Sequence, residues 1–533
     1  MSPVRLTFHG GAGTVTGSCY RLQHPDGEFL IDCGLFQGPK SVRKLNYEPF
    51  PFDPGTVDFL LLTHAHIDHS GLIPKLCRHG FSGPIHTIES TRDLLTFMLP
   101  DSGHIQESEV ERLNRRNRRR GRAEVEPIYT RADAEACLDQ ITGVAYESWF
   151  EPGPGIRARY WNAGHILGSA SIELKIERGD GTAPLHLLFS GDLGPDEKIF
   201  HLEPDSPAGL DYVVCESTYG DRDRADATVE ERRRALRQEI EAAVAAGGNL
   251  LIPAFAVERT QELLHDIGVL LAEGKIPEMP VYLDSPLAQN ATKVFIKHAA
   301  ALEDVALDEA ELFRNPNFHF TRDVEESKAL NRITSGAIII AASGMCDAGR
   351  IRHHLRNNLW RPEATVLFVG YQAPGTLGHL LLNGEKEVRI HGREIAVRAR
   401  IRRIENYSAH ADQQELVRWV RERLPVRAGI FLTHGEDHAR EVLRTHLIEA
   451  GCKGDAIFMP MLDDAVELDV APPVARRDRV RVAEDELTFD WHNDYAALLL
   501  QLGRTLDALP DDAARRDLLR RMRALLGDKG RQD

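Results

Sequence analysis

One stretch constrains this chain more than any other: LLLTHAHIDHSGLIPKL, Leu60 to Leu76. It sets His64, His66, Asp68 and His69 between two apolar runs. At that spacing the four cannot share one face of a regular helix. In a loop at the end of a strand they can converge on one small volume. A lone histidine in such a place is usually a hydrogen-bonded turn residue. Four metal-capable side chains together suit zinc or a similar first-row metal, because imidazole and carboxylate are its natural donors. A polar turn predicts nothing elsewhere in the chain, whereas a metal site demands more ligands than one loop supplies.

Those ligands are available at other strand ends. NAGHILGSASIEL carries His165 into a Gly/Ser turn, and LLFSGDLG carries Asp192 out of an apolar strand. GIFLTHGEDH offers His434, and LIDCG offers Asp32. Each alone reads as a turn former. As a set in fixed order with the opening loop they are specific.

At 533 residues the chain exceeds one ordinary compact domain. Its 42% hydrophobic and 27% charged content describes a soluble globular protein. MSPVRLTFHGGAGTVTG has no basic region followed by an apolar one, so no secretory signal is expected. No run of about 18 apolar residues exists to span a membrane. Seven scattered cysteines without a CxxC pair fit reduced thiols and a cytoplasmic location. The net charge of −16 disfavours broad nonspecific binding to nucleic acid but leaves room for a local basic groove.

Residues 1–210 read as short strands punctuated by Gly, Asp and Pro, including VRLTF, SCYRL, EFLID and VDFLLLT. The last two end in Asp32 and His64, and strand ends that open into loops commonly carry sites. From about Asp101 to Asp139 the text turns helical and charged, with the run RLNRRNRRRGR at Arg112–Arg122. Over 211–407 apolar strands such as DYVVCES, NLLIPAF, PVYLDS and GAIIIAASG alternate with helical stretches. That rhythm predicts an α/β domain on a parallel sheet. Residues 408–470 return to strand-rich text, with helices after SAHAD and HGEDHA. Residues 471–533 open on a Pro-Pro linker and become helical in YAALLLQLGRTLDAL and DAARRDLLRRMRALLG. These helices are expected to pack on the body, with a homodimer contact as the alternative.

Asp32, HxHxDH at 64–69, His165 and Asp192, in that order, resemble the metallo-β-lactamase fold. CESTYG with Glu216, SAHAD with His410 and THGE with His434 resemble its β-CASP branch of nucleic-acid-processing nucleases. That branch includes the pre-mRNA 3′-end cleavage endonuclease and its archaeal and bacterial relatives. The resemblance runs from about residue 1 to about 470 and omits the tail. It implies an α/β protein, an αββα sandwich with an inserted parallel-sheet domain. It also implies two zinc ions. His64, His66, His165 and Asp192 would hold the first; Asp68, His69, Asp192 and His434 would hold the second, with Asp192 bridging. Asp32 would orient the centre from behind its ligands. His410 would be a general acid held in place by Glu216, so these two join Asp68 and Asp32 as catalytic candidates.

The chemistry suits a phosphodiester. Two metals clamp the scissile phosphate and lower the pKa of a water nucleophile. A histidine near its ordinary pKa can protonate the leaving 3′ oxygen, and a carboxylate beside it favours the protonated form. The expected products carry 5′-phosphate and 3′-hydroxyl ends.

The histidine of THGE resembles the RNA enzymes of the family, since the DNA-repair branch tends to an apolar residue there. GYQAPGTLGHLL and ASGMCDAGRIRHHL also resemble RNA-processing members. The ribonuclease J group carries a GSQGEP-like loop for the RNA 5′ end. Ser343-Gly344-Met345 stands in the comparable place here, so endonuclease is expected over 5′-exonuclease. Ser343 is one RNA-contact candidate. Arg115, Arg116 and Arg119 in the arginine run are others, as is Arg400, which strand alternation sets on one face with Arg398 and Arg402. A solvated helix or strand face explains such runs equally well. A DNA nuclease, a small-molecule hydrolase and a non-catalytic scaffold are the competing readings. The small-molecule reading leaves roughly 190 residues between Glu216 and His410 unexplained. The scaffold reading fits poorly because every ligand position is filled.

Overall fold

Period-two alternation in the strands builds two sheets that share one apolar interior. The computed structural model describes residues 4–482 apart from 39, 180, 225–227, 303–312, 374, 406, 469–474 and 478–479. It also describes 502, 505–506, 509 and 511–526. Among these residues the first sheet runs Ala475–Arg477, Asp464–Glu467, Arg5–Gly10, Cys19–His24, Gly27–Ile31, Phe59–Leu61, Ile85–Ile88, Ile141–Val144. The second runs Ile457–Phe458, Gly429–Thr433, Tyr212–Glu216, Leu185–Phe189, Ala170–Ile176, Ile156–Asn162, Phe150–Gly153.

Leu6, Phe8, Leu22, Phe29 and Leu61 of the first sheet meet Tyr160, Ile172, Leu187, Val214 and Phe431 of the second in a single buried cluster. Each such side chain contributes about 1.5–3 kcal/mol when fully buried. Helix Glu89–Arg119 covers the outside of the first sheet, burying Leu94, Leu95 and Leu99 with Leu30, Leu60 and Leu62. Helices Gln413–Glu422 and Asp437–Glu449 cover part of the second, setting Leu416, Val420, Leu443 and Leu447 on Leu188, Val213, Ile430 and Leu432. This is the αββα sandwich that the motifs implied.

The inserted domain is a third sheet, with strands in the order Phe318–Phe320, Val281–Leu283, Ile338–Ala341, Leu250–Pro253, Thr365–Phe368, Arg400–Arg403. Every pairing in it is parallel. Leu250 and Ile252 face one layer of helices, and Leu251 faces the other. Burial on both faces is what makes such strands read as continuous apolar runs.

Three details depart from the sequence reading. Strand Tyr212–Glu216, assigned there to the inserted domain, belongs to the sandwich, in parallel register with Leu185–Phe189 and Gly429–Thr433. Its apolar run resembles a central parallel strand of either sheet, so pattern alone could not choose. The charged helix begins at Glu89, well before Asp101, and continues through Pro100. The tail starts with a short edge strand, Ala475–Arg477, before the helix Asp512–Leu526. Most of YAALLLQLGRTLDAL lies outside the described residues. Among the described residues no helix is long and apolar enough to cross a membrane.

Candidate metal centre

The opening loop divides its four side chains between two groups. Strand Phe59–Leu61 ends just before Thr63 and His64, and His66 stands at the start of the helical turn Ile67–Ser70. The turn carries Asp68 and His69 to the other side. Two other loops pin it: Ser18 N–H donates to Asp68 O, and Cys33 N–H to His69 O and Leu35 N–H to Ile67 O, at 2.8–2.9 Å. Gly34 makes this approach possible, because a Cβ there would lie 1.6 Å from the Asp68 carbonyl oxygen.

His64, His66, His165 and Asp192 form one group that could hold a metal; Asp68, His69 and His434 form a second. His66 Nδ1 is 3.1 Å from both His64 Nε2 and His165 Nε2, and His69 Nε2 is 3.1 Å from His434 Nε2. Ligands about 2.05 Å from a tetrahedral zinc stand about 3.3 Å apart, so the spacing matches. Asp192 sits between the groups. Its Oδ2 is 3.6 Å from His64 and His165, and its Oδ1 is 3.2 Å from His69 and 3.5 Å from His434.

The donor set fits cations on three further counts. Asp192 Oδ1 is buried without a hydrogen-bond partner of good geometry among the described residues, a state that is costly unless an ion completes it. Hydrogen bonds fix the histidine tautomers: His69 Nδ1–H donates to Asp32 Oδ2 at 2.7 Å and His165 Nδ1–H to the Ala409 carbonyl at 2.8 Å. Both leave an Nε2 lone pair aimed at the centre. Burial, reinforced by neighbouring imidazoles, holds His64 and His165 well below the ordinary histidine range, and burial takes His66 to about 4. Neutral imidazole is the ligating form. His69 and His434 behave differently: against burial, Asp192 holds the first well above and the second above the ordinary histidine range, and both in turn hold the Asp192 carboxyl well below the usual range despite its burial. Binding a cation there would release the His69 proton.

Asp32 is fully buried behind the centre, accepting from Thr63 N–H at 2.8 Å as well as from His69. His410 and Glu216 lie beside Asp192. His410 Nδ1 is 3.2 Å from Glu216 Oε1 and 4.0 Å from Asp192 Oδ2. Glu216 is fixed in turn by Leu193 N–H at 2.6 Å. The strand register explains the meeting: Glu216 pairs with Thr433, so His434 emerges beside it. Thr218 Oγ1 then contacts His434 Nδ1 at 3.0 Å.

The RNA-contact candidates fare differently. Ser343 Oγ accepts from Ala348 N–H at 3.4 Å, within its own turn. Arg115, Arg116 and Arg119 are exposed, with Arg115 paired to Glu111 at 3.3 Å. Arg400 does not stand free: its Nη1 donates to the Ala242 carbonyl at 2.7 Å, and Arg402 pairs with Glu239 on the same helix. Parallel alternation aligned these arginines, but their partners came from a helix distant in sequence.

One pair of neighbours escaped the sequence reading entirely. Glu258 and Arg259 open helix Arg259–Ala272 of the inserted domain. Glu258 accepts from Leu167 N–H at 3.1 Å and pairs with His201 at 2.8 Å and Lys198 at 3.4 Å. Lys198 also donates to the carbonyl of His165. Arg259 Nε donates to the Tyr407 carbonyl at 2.8 Å, three residues before His410. Two adjacent residues therefore hold both the His165 loop and the His410 loop. Glu258 does so at φ 72°, a conformation that costs a non-glycine residue about 1–3 kcal/mol. No spacing in AFAVERTQELL could have revealed contacts of that range.

The fold and this centre define a metallohydrolase of sandwich type with a nuclease-like insertion. The chain belongs to the β-CASP branch of the metallo-β-lactamase superfamily and is a metal-dependent hydrolase. Family models match at residues 12–246 (metallo-beta-lactamase superfamily), 260–381 (Beta-Casp domain) and 394–460 (Zn-dependent metallo-hydrolase RNA specificity domain). The chain is 35% identical to Ribonuclease TTHA0252 of Thermus thermophilus over 439 residues, covering 81% of this chain and 94% of that one. It is 32% identical to the transcription termination factor FttA of Methanothermobacter thermautotrophicus, covering 84% and 70%. With FttA of Methanosarcina mazei it shares 29% identity over 82% and 67%.

Proposed function

We propose that this protein is a zinc-dependent ribonuclease that hydrolyses internal RNA phosphodiester bonds and leaves 5′-phosphate and 3′-hydroxyl ends. The observation that carries the reading is the position of Asp192: it belongs to the group with His64, His66 and His165, stands 3.2 Å from His69 and 3.5 Å from His434 of the second, and clusters with Glu216 and His410 as well. A relative named a ribonuclease and a match to an RNA specificity domain support RNA as substrate. Seven cysteines, all free, fit a reducing cytoplasm.

His64, His66, His165 and Asp192 would hold one zinc, and Asp68, His69, His434 and Asp192 the other. Bound there, the two ions would polarise the phosphoryl oxygens and lower the pKa of the attacking water. The remaining work falls to the protein. Asp32 and Thr63 keep the ligands in their tautomers and orientation. Glu216 orients His410 through Nδ1, leaving Nε2 to give its proton to the departing 3′ oxygen. Leu193 N–H and Thr218 N–H keep Glu216 in position.

The test uses RNA labelled separately at each end, with and without a chelator. Internal fragments that vanish on chelation are expected. Release of mononucleotides from one end would replace the endonuclease with an exonuclease. No cleavage of RNA in any divalent metal would overturn the reading.

A further inference from the structure

We propose that the outer face of the second sheet, at Trp149, Arg157, Arg159, Trp161 and Lys175, is a platform for single-stranded nucleic acid outside the cleavage centre. The inference rests on the ribonuclease reading and extends it to how the strand is held.

Strands Phe150–Gly153, Ile156–Asn162, Ala170–Ile176 and Leu185–Phe189 are antiparallel neighbours. Their even members from Ile156 to Ile176 fill the sandwich, so 157, 159, 161, 173 and 175 point outward. Among the described residues, helices cover this face only further along, where Leu188, Val213 and Ile430 are buried. At the near end Arg157 is exposed and Arg159, Trp161 and Lys175 are half-buried.

Three cations converge on one indole. Arg159 Cζ lies 4.5 Å from the Trp149 ring centroid, Lys175 Nζ 5.0 Å and Arg157 Cζ 5.1 Å. Arg159 is also 4.4 Å from the Trp161 ring. The register sets Arg157 directly opposite Lys175, a like-charge pair that destabilises a sheet on its own. The buried carboxylate on the face, Glu173, is already engaged by Arg159, Trp161 Nε1 and His186 at 2.6–2.8 Å. Among the described residues Arg157 and Lys175 form no ion pair. In a chain of net charge −16, two unneutralised cations packed around tryptophan call for a polyanion with flat faces. Single-stranded nucleic acid supplies both phosphates for the cations and bases for the indoles. An acidic protein would answer only the charge.

The position serves the centre. Arg157, Arg159 and Trp161 form a row along one strand, and the chain reaches His165 four residues beyond Trp161. At about 3.3 Å per residue the row starts within roughly 26 Å of that ligand. A strand lying along it would be led to the scissile position.

The experiment compares wild-type enzyme with Arg157→Glu/Lys175→Glu on a labelled single-stranded RNA and on bis(4-nitrophenyl) phosphate. The variant should raise KM for RNA about tenfold and flatten the salt dependence of RNA binding by about 1.4 logarithmic units per decade of salt. Hydrolysis of the small diester should be unchanged. A KM and salt slope equal to wild type, in an enzyme that still cuts RNA, would remove the platform and leave the ribonuclease reading standing. Failure of wild-type enzyme to cut RNA would instead overturn that reading. Should the double variant not fold, acylation footprinting of wild-type Lys175 decides: RNA is expected to protect it. Equal protection by polyglutamate, or none by RNA, would overturn the proposal.

Discussion

Asp192 is the residue around which the centre is arranged, and its neighbours divide by what they hold. His410 is set by Glu216 at 3.2 Å rather than by a metal-facing partner. His410→Ala is therefore expected to lower kcat about 10²–10⁴-fold with metal content intact, as read by elemental analysis beside RNA cleavage. Asp32 acts through His69. Asp32→Asn tolerates the same positive φ of 59° but loses the charge behind the imidazole, and should weaken metal affinity about 10–100-fold in a competition titration. The candidate residues that cluster here were legible in the sequence because a metal centre would need histidine and carboxylate at strand ends, and those types stand out. Their supports, Thr63, Thr218 and the Ala409 carbonyl, were not: a threonine beside a histidine has no signature until the fold brings a ring nitrogen within 3.0 Å.

At the scale of elements, the strands were readable from their period and the sheets' partners were not. Tyr212–Glu216 could have joined the parallel inserted sheet or the mixed sandwich sheet, and only its hydrogen bonding to Leu185–Phe189 and Gly429–Thr433 decides. The same limit hid the buried charges under helix Arg259–Ala272. There burial raises the Glu262 carboxyl from 4.5 to about 7 despite Arg232 nearby. In the folded state it keeps a proton between those pH values that the unfolded chain gives up. Its contribution to stability therefore falls as pH rises from 4.5 to about 7. Glu262→Gln should stabilise the fold relative to wild type at pH 8, by up to about 3 kcal/mol, raising the melting temperature there and leaving it unchanged near pH 4. Thermal melts at both values check this. Glu258 on the preceding turn sits between Lys198 and His201. Glu258→Ala would strand a buried lysine and should cost about 3–5 kcal/mol, with loss of activity tracking the melt.

At the scale of the molecule, metal and fold are linked. A cluster of aimed lone pairs around a buried carboxylate is stable chiefly when filled, so chelation should lower the melting temperature. At free zinc about a thousandfold above its dissociation constant each ion stabilises by ~4 kcal/mol. Calorimetry across a zinc-buffered series measures it, and a melting temperature insensitive to zinc would contradict the metal assignment.

The chain also leaves the sandwich after Glu216 and does not return a candidate ligand until His434, next to Thr433, the partner of that strand's end. On a ribosome this is a clock. After Asp192 has been made, roughly 240 further residues must be translated, about 12–48 s at 5–20 residues per second. Until then the second cluster lacks its last donor, and His410 itself is made only shortly before His434. The candidate centre can therefore close only late in synthesis, once residues 410–434 have been made.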